Sequence, residues 1–181
     1  MDSSVVTLRD ASVADVGGIA AVHVAAWKET YTGLVPEGIL AALSVADREA
    51  RWRRILADPH AGGTSVCVAC DGERIVGFAS CGGQRDAGLR TLGFDAEISA
   101  LYLLQSHQRQ GIGTAMMRHM AAELAGRDHA AAALWVLREN RAARAFYARL
   151  GGEVVGEREE VRPEARLMEL AYGWRRLGHM E

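Results

Sequence analysis

The stretch from Glu97 to about Leu124 narrows the folds open to this chain more than any other. EISALYLL (97–104) reads as a β-strand. Gln108-Arg109-Gln110-Gly111-Ile112-Gly113-Thr114 follows it, and from Gly111 an amphipathic run places Ile112, Ala115, Met116, His119 and Met120 on one helical side. A loop that leaves a strand and enters a helix presents the helix's unpaired N–H groups and the positive end of its dipole. That is a ready seat for an anion, above all a phosphate. Glycines there let the backbone approach a bulky group, because no Cβ intervenes. Two better-known phosphate cradles do not fit. A P-loop needs Gly-Lys-Ser/Thr, and no lysine follows Gly113. A dinucleotide fingerprint needs a third glycine, where this chain has Met116.

The remaining elements follow from periodicity and punctuation. VVTLRD (5–10) is an expected first strand, and Ser12 with Asp15 three places on forms a capping box. Val16, Ile19, Ala20, His23, Val24 and Trp27 then recur at helical spacing, and KETYTGLVPEG (28–38) is expected to break that helix. Pro36 can start a second helix. SVADREARWRRILADP (44–59) has Ser44 as a cap, Pro59 as a stop, and Trp52, Ile55 and Leu56 on one face. The period then changes. TSVCVAC (64–70) and RIVGFASCG (74–82) are strand-like around Asp71-Gly72, a hairpin signal. QRDAGLRTLGFDA (84–96) reads as a polar connection. AAALWVL (131–137) is a strand, Asn140–Leu150 a helix stopped by Gly151-Gly152, and 153–161 with 166–174 a closing strand pair around Pro163. The implied class is α+β: a mixed, mostly antiparallel sheet with helices on both faces.

With 181 residues, one domain spanning 1–181 is expected. A net charge of −2 gives no footprint for nucleic acid. No apolar run approaches the roughly 18–20 residues of a membrane helix, and MDSSVVTLRD has no signal-peptide pattern, so a cytoplasmic protein is expected. The three cysteines form no disulfide framework. Cys67 and Cys70 spell C-x-x-C within a strand, where residues three apart face opposite sides, so they read as core rather than as a zinc site. The six histidines show no ligand spacing, and no metal is expected.

Three segments together resemble the GNAT family of N-acetyltransferases. Gln108-x-x-Gly111-x-Gly113 after EISALYLL is similar to that family's acetyl-coenzyme A signature. ENRAARAFYARLGGE (139–153), with Asn140, Phe146-Tyr147 and Leu150-Gly151, resembles its second cofactor-side segment. WKETYTGLVP (27–36) resembles the loop between its first two helices. The departure is Glu153, where the family usually carries an apolar aromatic. The resemblance implies acetyl-coenzyme A as cosubstrate, with residues Gln108, Arg109, Gln110, Gly111, Ile112, Gly113 and Thr114 wrapping its pyrophosphate. It further implies that strand 97–104 diverges from its neighbour, so that main chain at Leu101 and Leu103 bonds the pantetheine arm and one N–H faces the thioester oxygen. Asn140 would bond the arm from the other side, or act only as a helix cap.

The chemistry so implied is acetyl transfer to a primary amine of a small molecule or peptide in a ternary complex. An alkylammonium near pKa ~10 must first lose a proton. Glu97, eleven residues before Gln108, matches the position of a family glutamate base, or is an exposed carboxylate at a strand start. Tyr147 matches the family tyrosine that protonates the leaving thiolate, or is a core aromatic. Trp27, Glu29, Tyr31 and the loop 84–96 are expected to line the acceptor pocket, where aromatics suit an ammonium. A homodimer is compatible with the family. The competing reading is a non-catalytic module that senses coenzyme A, which needs the cradle but neither Glu97 nor Tyr147.

Overall fold

The computed structural model of the protein describes residues 5–58 and 63–180. Its frame is a seven-stranded open sheet in the order β1-β2-β3-β4-β5-β7-β6. β1 (Thr7–Asp10), β2 (Ser65–Asp71), β3 (Arg74–Gly83) and β4 (Ala96–Leu103) pair antiparallel in turn. β5 (Ala132–Leu137) meets β4 in parallel, and β6 (Glu153–Arg162) and β7 (Ala165–Trp174) close the sheet as an antiparallel pair. The β2–β3 turn falls on Gly72-Glu73, one step later than Asp71-Gly72, because Asp71 still pairs with Arg74. Gly72 takes φ +58°, the left-handed region that such a tight turn demands.

The helices are α1 (Val16–Tyr31), α2 (Glu37–Ala41), α3 (Val45–Ala57), α4 (Ala87–Thr91), α5 (Ile112–Ala125) and α6 (Arg141–Arg149). α1 runs on to Tyr31 rather than breaking at Lys28. Lys28, Glu29 and Thr30 tolerate helix, and the stop comes only at Gly33, with φ +80°. Trp27 and Tyr31 therefore share one helical face, their rings 4.7 Å apart. The connection 84–96 is not featureless. Asp86 Oδ1 accepts the Leu89 N–H at 3.0 Å and caps α4. Pro59, the expected stop of α3, lies outside the described residues. Ser44 caps α3 as expected, its hydroxyl accepting the Asp47 N–H at 3.2 Å.

Both faces of the sheet are covered. Phe78 meets His23 and Trp52, on α1 and α3, whereas the Cys81 thiol meets the Met120 carbonyl on α5 at 3.8 Å. Residues three apart on a strand face opposite sides, so α1 and α3 lie on one face and α5 on the other. On α5 the buried stripe is Ile112, Met116, Met117, Met120 and Leu124, while Ala115 is exposed, so the apolar face sits slightly around the helix from the expected one. Cys67, Cys70 and Cys81 are all free and buried. Burial pushes the Cys67 and Cys81 thiols up to about 12, which makes them packing groups rather than nucleophiles.

Asp15 ties the first strand to the first helix. Its carboxylate accepts the Ser12 N–H at 2.7 Å and both Arg9 guanidinium nitrogens at 2.7 and 2.8 Å, with Asp15 only 7% exposed. The Arg9 hydrogen bonds hold the carboxyl at about 2. The unfolded chain takes up this proton near pH ~4. The contribution is therefore complete above pH ~4 and drains away as pH falls toward 2. Asp15→Asn is expected to cost about 1–2 kcal/mol in urea unfolding at neutral pH and to flatten the decline below pH ~4. Identical unfolding curves at pH 7 would contradict this assignment.

Candidate active site

The site begins where the sheet opens. β4 and β5 pair only at Ala96–Ala132 and Glu97–Ala133. From Ile98 onward β4 keeps β3 and has no β5, so a gap separates the two strands. The Leu104 N–H bonds Val76 C=O at 2.9 Å on the β3 side. Main-chain groups alternate in direction along a strand, so those of Leu103 and Leu101 face the gap. In keeping with this, the Leu103 carbonyl accepts the Gln108 side-chain amide at 3.1 Å rather than a β3 partner.

The loop beyond β4 is built to point N–H groups outward. Arg109 takes φ +62° and Gly111 φ +80°. A left-handed non-glycine residue costs on the order of 1 kcal/mol, which marks a constrained loop. Gln108, Arg109, Gln110 and Gly111 are exposed, and the Gln110 amide braces the loop on Ser106 C=O at 3.3 Å. Ile112 is buried and roots the helix start. The first intrahelical bond runs from the Ala115 N–H to Gly111 C=O at 3.0 Å, so the amides of Ile112, Gly113 and Thr114 precede the helical ladder. A Cβ on Gly113 would stand 3.3 Å from the Phe146 ring, so glycine lets the first turn of α5 press against α6.

α6 supplies the opposite wall. Asn140 caps it, its Oδ1 accepting the Ala143 N–H at 3.1 Å, which leaves the side-chain NH₂ to donate elsewhere. Tyr147 is 8% exposed, packed among Phe146, Tyr172 and Trp174 at ring separations of 5.3, 5.9 and 6.0 Å. Burial raises its hydroxyl well above the usual tyrosine value, so it stays protonated. Among the described residues no hydrogen-bond partner takes up that hydroxyl. Burial, then the nearby Tyr102 and Tyr147, raise the Tyr31 hydroxyl on α1 too, against a side-chain hydrogen bond with Asn140 that lowers it. The two walls thus converge.

On the α1 side, two clefts of about 220 and 590 Å³ share Trp27, Arg85, Glu97, Ser99, Tyr102 and Arg162. The Trp27 indole N–H donates to the Tyr102 hydroxyl at 2.9 Å. Glu97 faces both clefts, with its side chain 13% exposed and paired to the Arg85 guanidinium, itself 70% exposed. Tyr31 lines the smaller cleft, and the expected loop contributes Gln84 and Arg85. Glu29 does not join them. Its carboxylate accepts the Gln105 N–H at 2.8 Å and pins the end of β4 to α1.

Three lining residues were not singled out from the sequence. His23 packs among Trp27, Trp52, Phe78 and Tyr102, and accepts the Trp52 indole N–H on Nδ1 at 3.1 Å. Burial first, then the charges of Arg48 and Arg51, push it down to about 3, so it is neutral with its remaining proton on Nε2. Arg48 and Arg51 line the larger cleft from α3. His119, which the periodicity places on the apolar side of its helix, is half-buried and paired with Asp10 at 3.1 Å. Glu123 lies close enough to share a cation with that pair, but it accepts the Ser65 hydroxyl at 3.0 Å, so hydrogen bonds account for the grouping.

No described helix is long and apolar enough to cross a membrane. Residues 25–152 match the Acetyltransferase (GNAT) family. YuaI of Bacillus subtilis (strain 168), an uncharacterized N-acetyltransferase, is 34% identical over 171 residues, which cover 93% of this chain and 92% of that protein. Rv2669 of Mycobacterium tuberculosis, likewise described as an uncharacterized N-acetyltransferase, is 31% identical over 69% of this chain and 74% of its own length. Among solved structures, the PaiA N-acetyltransferase of Thermoplasma acidophilum in complex with coenzyme A superposes with a TM-score of 0.72 at 18% identity, over 91% of this chain and 98% of that one. YncA of Salmonella typhimurium with acetyl-coenzyme A gives 0.70 at 20% identity, over 95% and 94%. Those structures share the fold, the family match over residues 25–152 spans the loop before α5 and the whole of α6, and the chain belongs to the acetyltransferase (GNAT) family.

Proposed function

We propose that this acetyltransferase passes the acetyl group directly to a primary amine of a small molecule or peptide, with both substrates bound at once. Acetyl-coenzyme A is the cosubstrate of the family. The observation that carries the reading is the gap between β4 and β5. It has an outward-facing amide cradle at one mouth and the Glu97 clefts at the other, so donor and acceptor can meet without a covalent enzyme intermediate.

In this reading the amides of Ile112, Gly113 and Thr114 hold the pyrophosphate, where the helix dipole favours negative charge. Gln108 and Gln110 shape the loop, and Arg109 adds a charge-assisted contact. Main chain at Leu101 and Leu103 and the Asn140 amide align the pantetheine arm. Trp27 and Tyr31 wall the acceptor side, while Glu29 only fixes the loop. The incoming ammonium displaces Arg85 from Glu97 and gives up its proton there, directly or through water. The free amine attacks the thioester carbonyl and the C–N bond forms. A main-chain N–H stabilises the developing oxyanion. The C–S bond then breaks, and the electron pair leaves with sulfur. Tyr147, held protonated by burial, donates a hydrogen bond to that sulfur and then the proton as charge builds, and the second proton that the attacking nitrogen sheds passes through water to restore the Tyr147 hydroxyl. The products are an acetamide and free coenzyme A.

Glu97→Gln is the test. Loss of a general base costs about 10²- to 10⁴-fold, so kcat/KM should fall by at least ~100-fold at pH 7, and less at pH 10, where more amine is already deprotonated. Coenzyme A affinity should stay as in the wild type. An unchanged rate and pH profile would remove Glu97 from the mechanism. Release of no thiol by the wild-type protein on any amine, with coenzyme A still bound, would favour a sensor whose Arg85–Glu97 pair stays closed.

A further inference from the structure

The larger cleft has an unbalanced charge. Among the described residues its lining holds Arg48, Arg51, Arg85 and Arg162 against the single carboxylate of Glu97. Arg85 is paired with Glu97, and Arg162 is paired with Glu160 at 3.1 and 3.2 Å. Among the described residues no carboxylate lies within ion-pair distance of Arg48 or Arg51. The two stand three apart on α3, one turn of the same helical face, just ahead of buried Trp52. Two like charges at this spacing repel, and Arg48, half-buried where Arg51 is exposed, has lost part of the water that would screen it. Such a pair is relieved by an anion. Guanidinium groups are also the side chains best shaped to take a carboxylate or phosphate through paired N–H donors.

The aromatic wall points the same way. Trp27 does not offer its ring to an ammonium, because the Arg48 and Arg162 guanidinium groups already lie 6.0 and 5.8 Å from its centroid. His23, deeper in the same cleft, is neutral and adds no negative charge. What remains is a cleft with one acidic corner at Glu97 and a cationic wall on α3.

We infer that the acceptor is a small amine that also carries an anion, a carboxylate or a phosphate, seated by Arg48 and Arg51 while its amino group reaches Glu97. This rests on the proposed transfer reaction and adds the substrate class. A polyamine or other polycation meets repulsion on the same wall. The two arginines are binding and specificity residues, since they touch the end of the acceptor away from the reacting nitrogen.

The experiment uses the intact protein saturated with coenzyme A. Trp27 and Trp52 line the cleft and report occupancy by fluorescence. The titrants are an amino carboxylate, its carboxamide, an aminoalkyl phosphonate and an alkyl diamine of matched length. The carboxylate or the phosphonate should bind about tenfold to a hundredfold tighter than the carboxamide and the diamine. The stronger of the two identifies the anion. Arg48→Gln/Arg51→Gln should erase the difference, with an unfolding temperature close to wild type, because Gln keeps the helix propensity of Arg. Equal binding of carboxylate, carboxamide and diamine, or a preference that survives the double substitution, would overturn the inference. Thiol release from acetyl-coenzyme A with the same panel separates the two layers. An anion preference in binding without thiol release supports the seat and counts against acetyl transfer. Thiol release that favours the diamine supports transfer and rejects the seat.

Discussion

Tyr147→Phe is expected to lower kcat by about 10²- to 10³-fold while coenzyme A binds as in the wild type. The substitution removes one oxygen and keeps the ring, so the packing against Phe146, Tyr172 and Trp174 survives. Nothing else in the fold needs that hydroxyl, since among the described residues it has no partner to leave orphaned. Stability should therefore change little, and any lost turnover reports on chemistry. Burial keeps the group protonated at every working pH, so its effect should be constant from pH 6 to 10 rather than titrating. Steady-state thiol release gives kcat, and calorimetry gives the coenzyme A affinity. Unchanged kcat would make Tyr147 a core aromatic and nothing more.

The second large effect is on cofactor binding. Gly113→Val is expected to weaken coenzyme A binding by about 100-fold or more. A Cβ at this position already stands 3.3 and 3.5 Å from the Phe146 ring, and the two further methyl groups of valine leave no room between α5 and α6. With the Phe146 ring packed against Tyr147, the start of α5 is expected to give way, and the amides of Ile112, Gly113 and Thr114 shift with it. A misplacement of about 1 Å is enough to cost on the order of 10²-fold where geometry matters. Gly113→Ala, whose single methyl needs only a few tenths of an ångström from the ring, should lie in between. Calorimetry of both variants, with urea unfolding to confirm that each is folded, decides the matter. Wild-type affinity in the valine variant would mean that these amides do not hold the cofactor.

Much of the frame was legible because it depends on neighbours in sequence. The alternation of 64–82 around Asp71-Gly72, and the shift from EISALYLL to a glycine loop and a periodic helix, are local signals, and each became an element at nearly the expected bounds. The errors have local causes too. Lys28 to Thr30 look polar enough for a loop, yet nothing in them opposes helix, and α1 continued to the first glycine that could reverse the chain. α4 went unseen because five residues carry too little periodicity.

The site was legible only in part, and for a different reason. Gln108 to Thr114, Asn140 and Tyr147 each sit beside a recognisable turn, strand end or helix cap. Glu29 could not be placed from sequence, because its partner is the Gln105 amide, 76 residues away. The pairing of Glu97 with Arg85 depends on how the connection 84–96 folds back. Arg48 and Arg51 lie outside the apolar set of Trp52, Ile55 and Leu56 that the pattern marks on α3, and only the fold brings them into one cleft with Glu97 and Tyr102. His23 belonged to the apolar stripe in the periodic pattern, and that stripe became the edge of a cleft.

The claim on which the rest depends is that outward-facing amides at the start of α5 hold a diphosphate and so aim a thioester into the gap beside β4. A crystal structure of the protein soaked with acetyl-coenzyme A tests it most directly. The expected result has diphosphate oxygens about 3 Å from the amides of Ile112, Gly113 and Thr114, the sulfur between β4 and β5 near Tyr147, and the acetyl carbonyl facing the Glu97 clefts. A cofactor bound on another surface, with its diphosphate away from α5 and the gap closed by protein, would contradict the account.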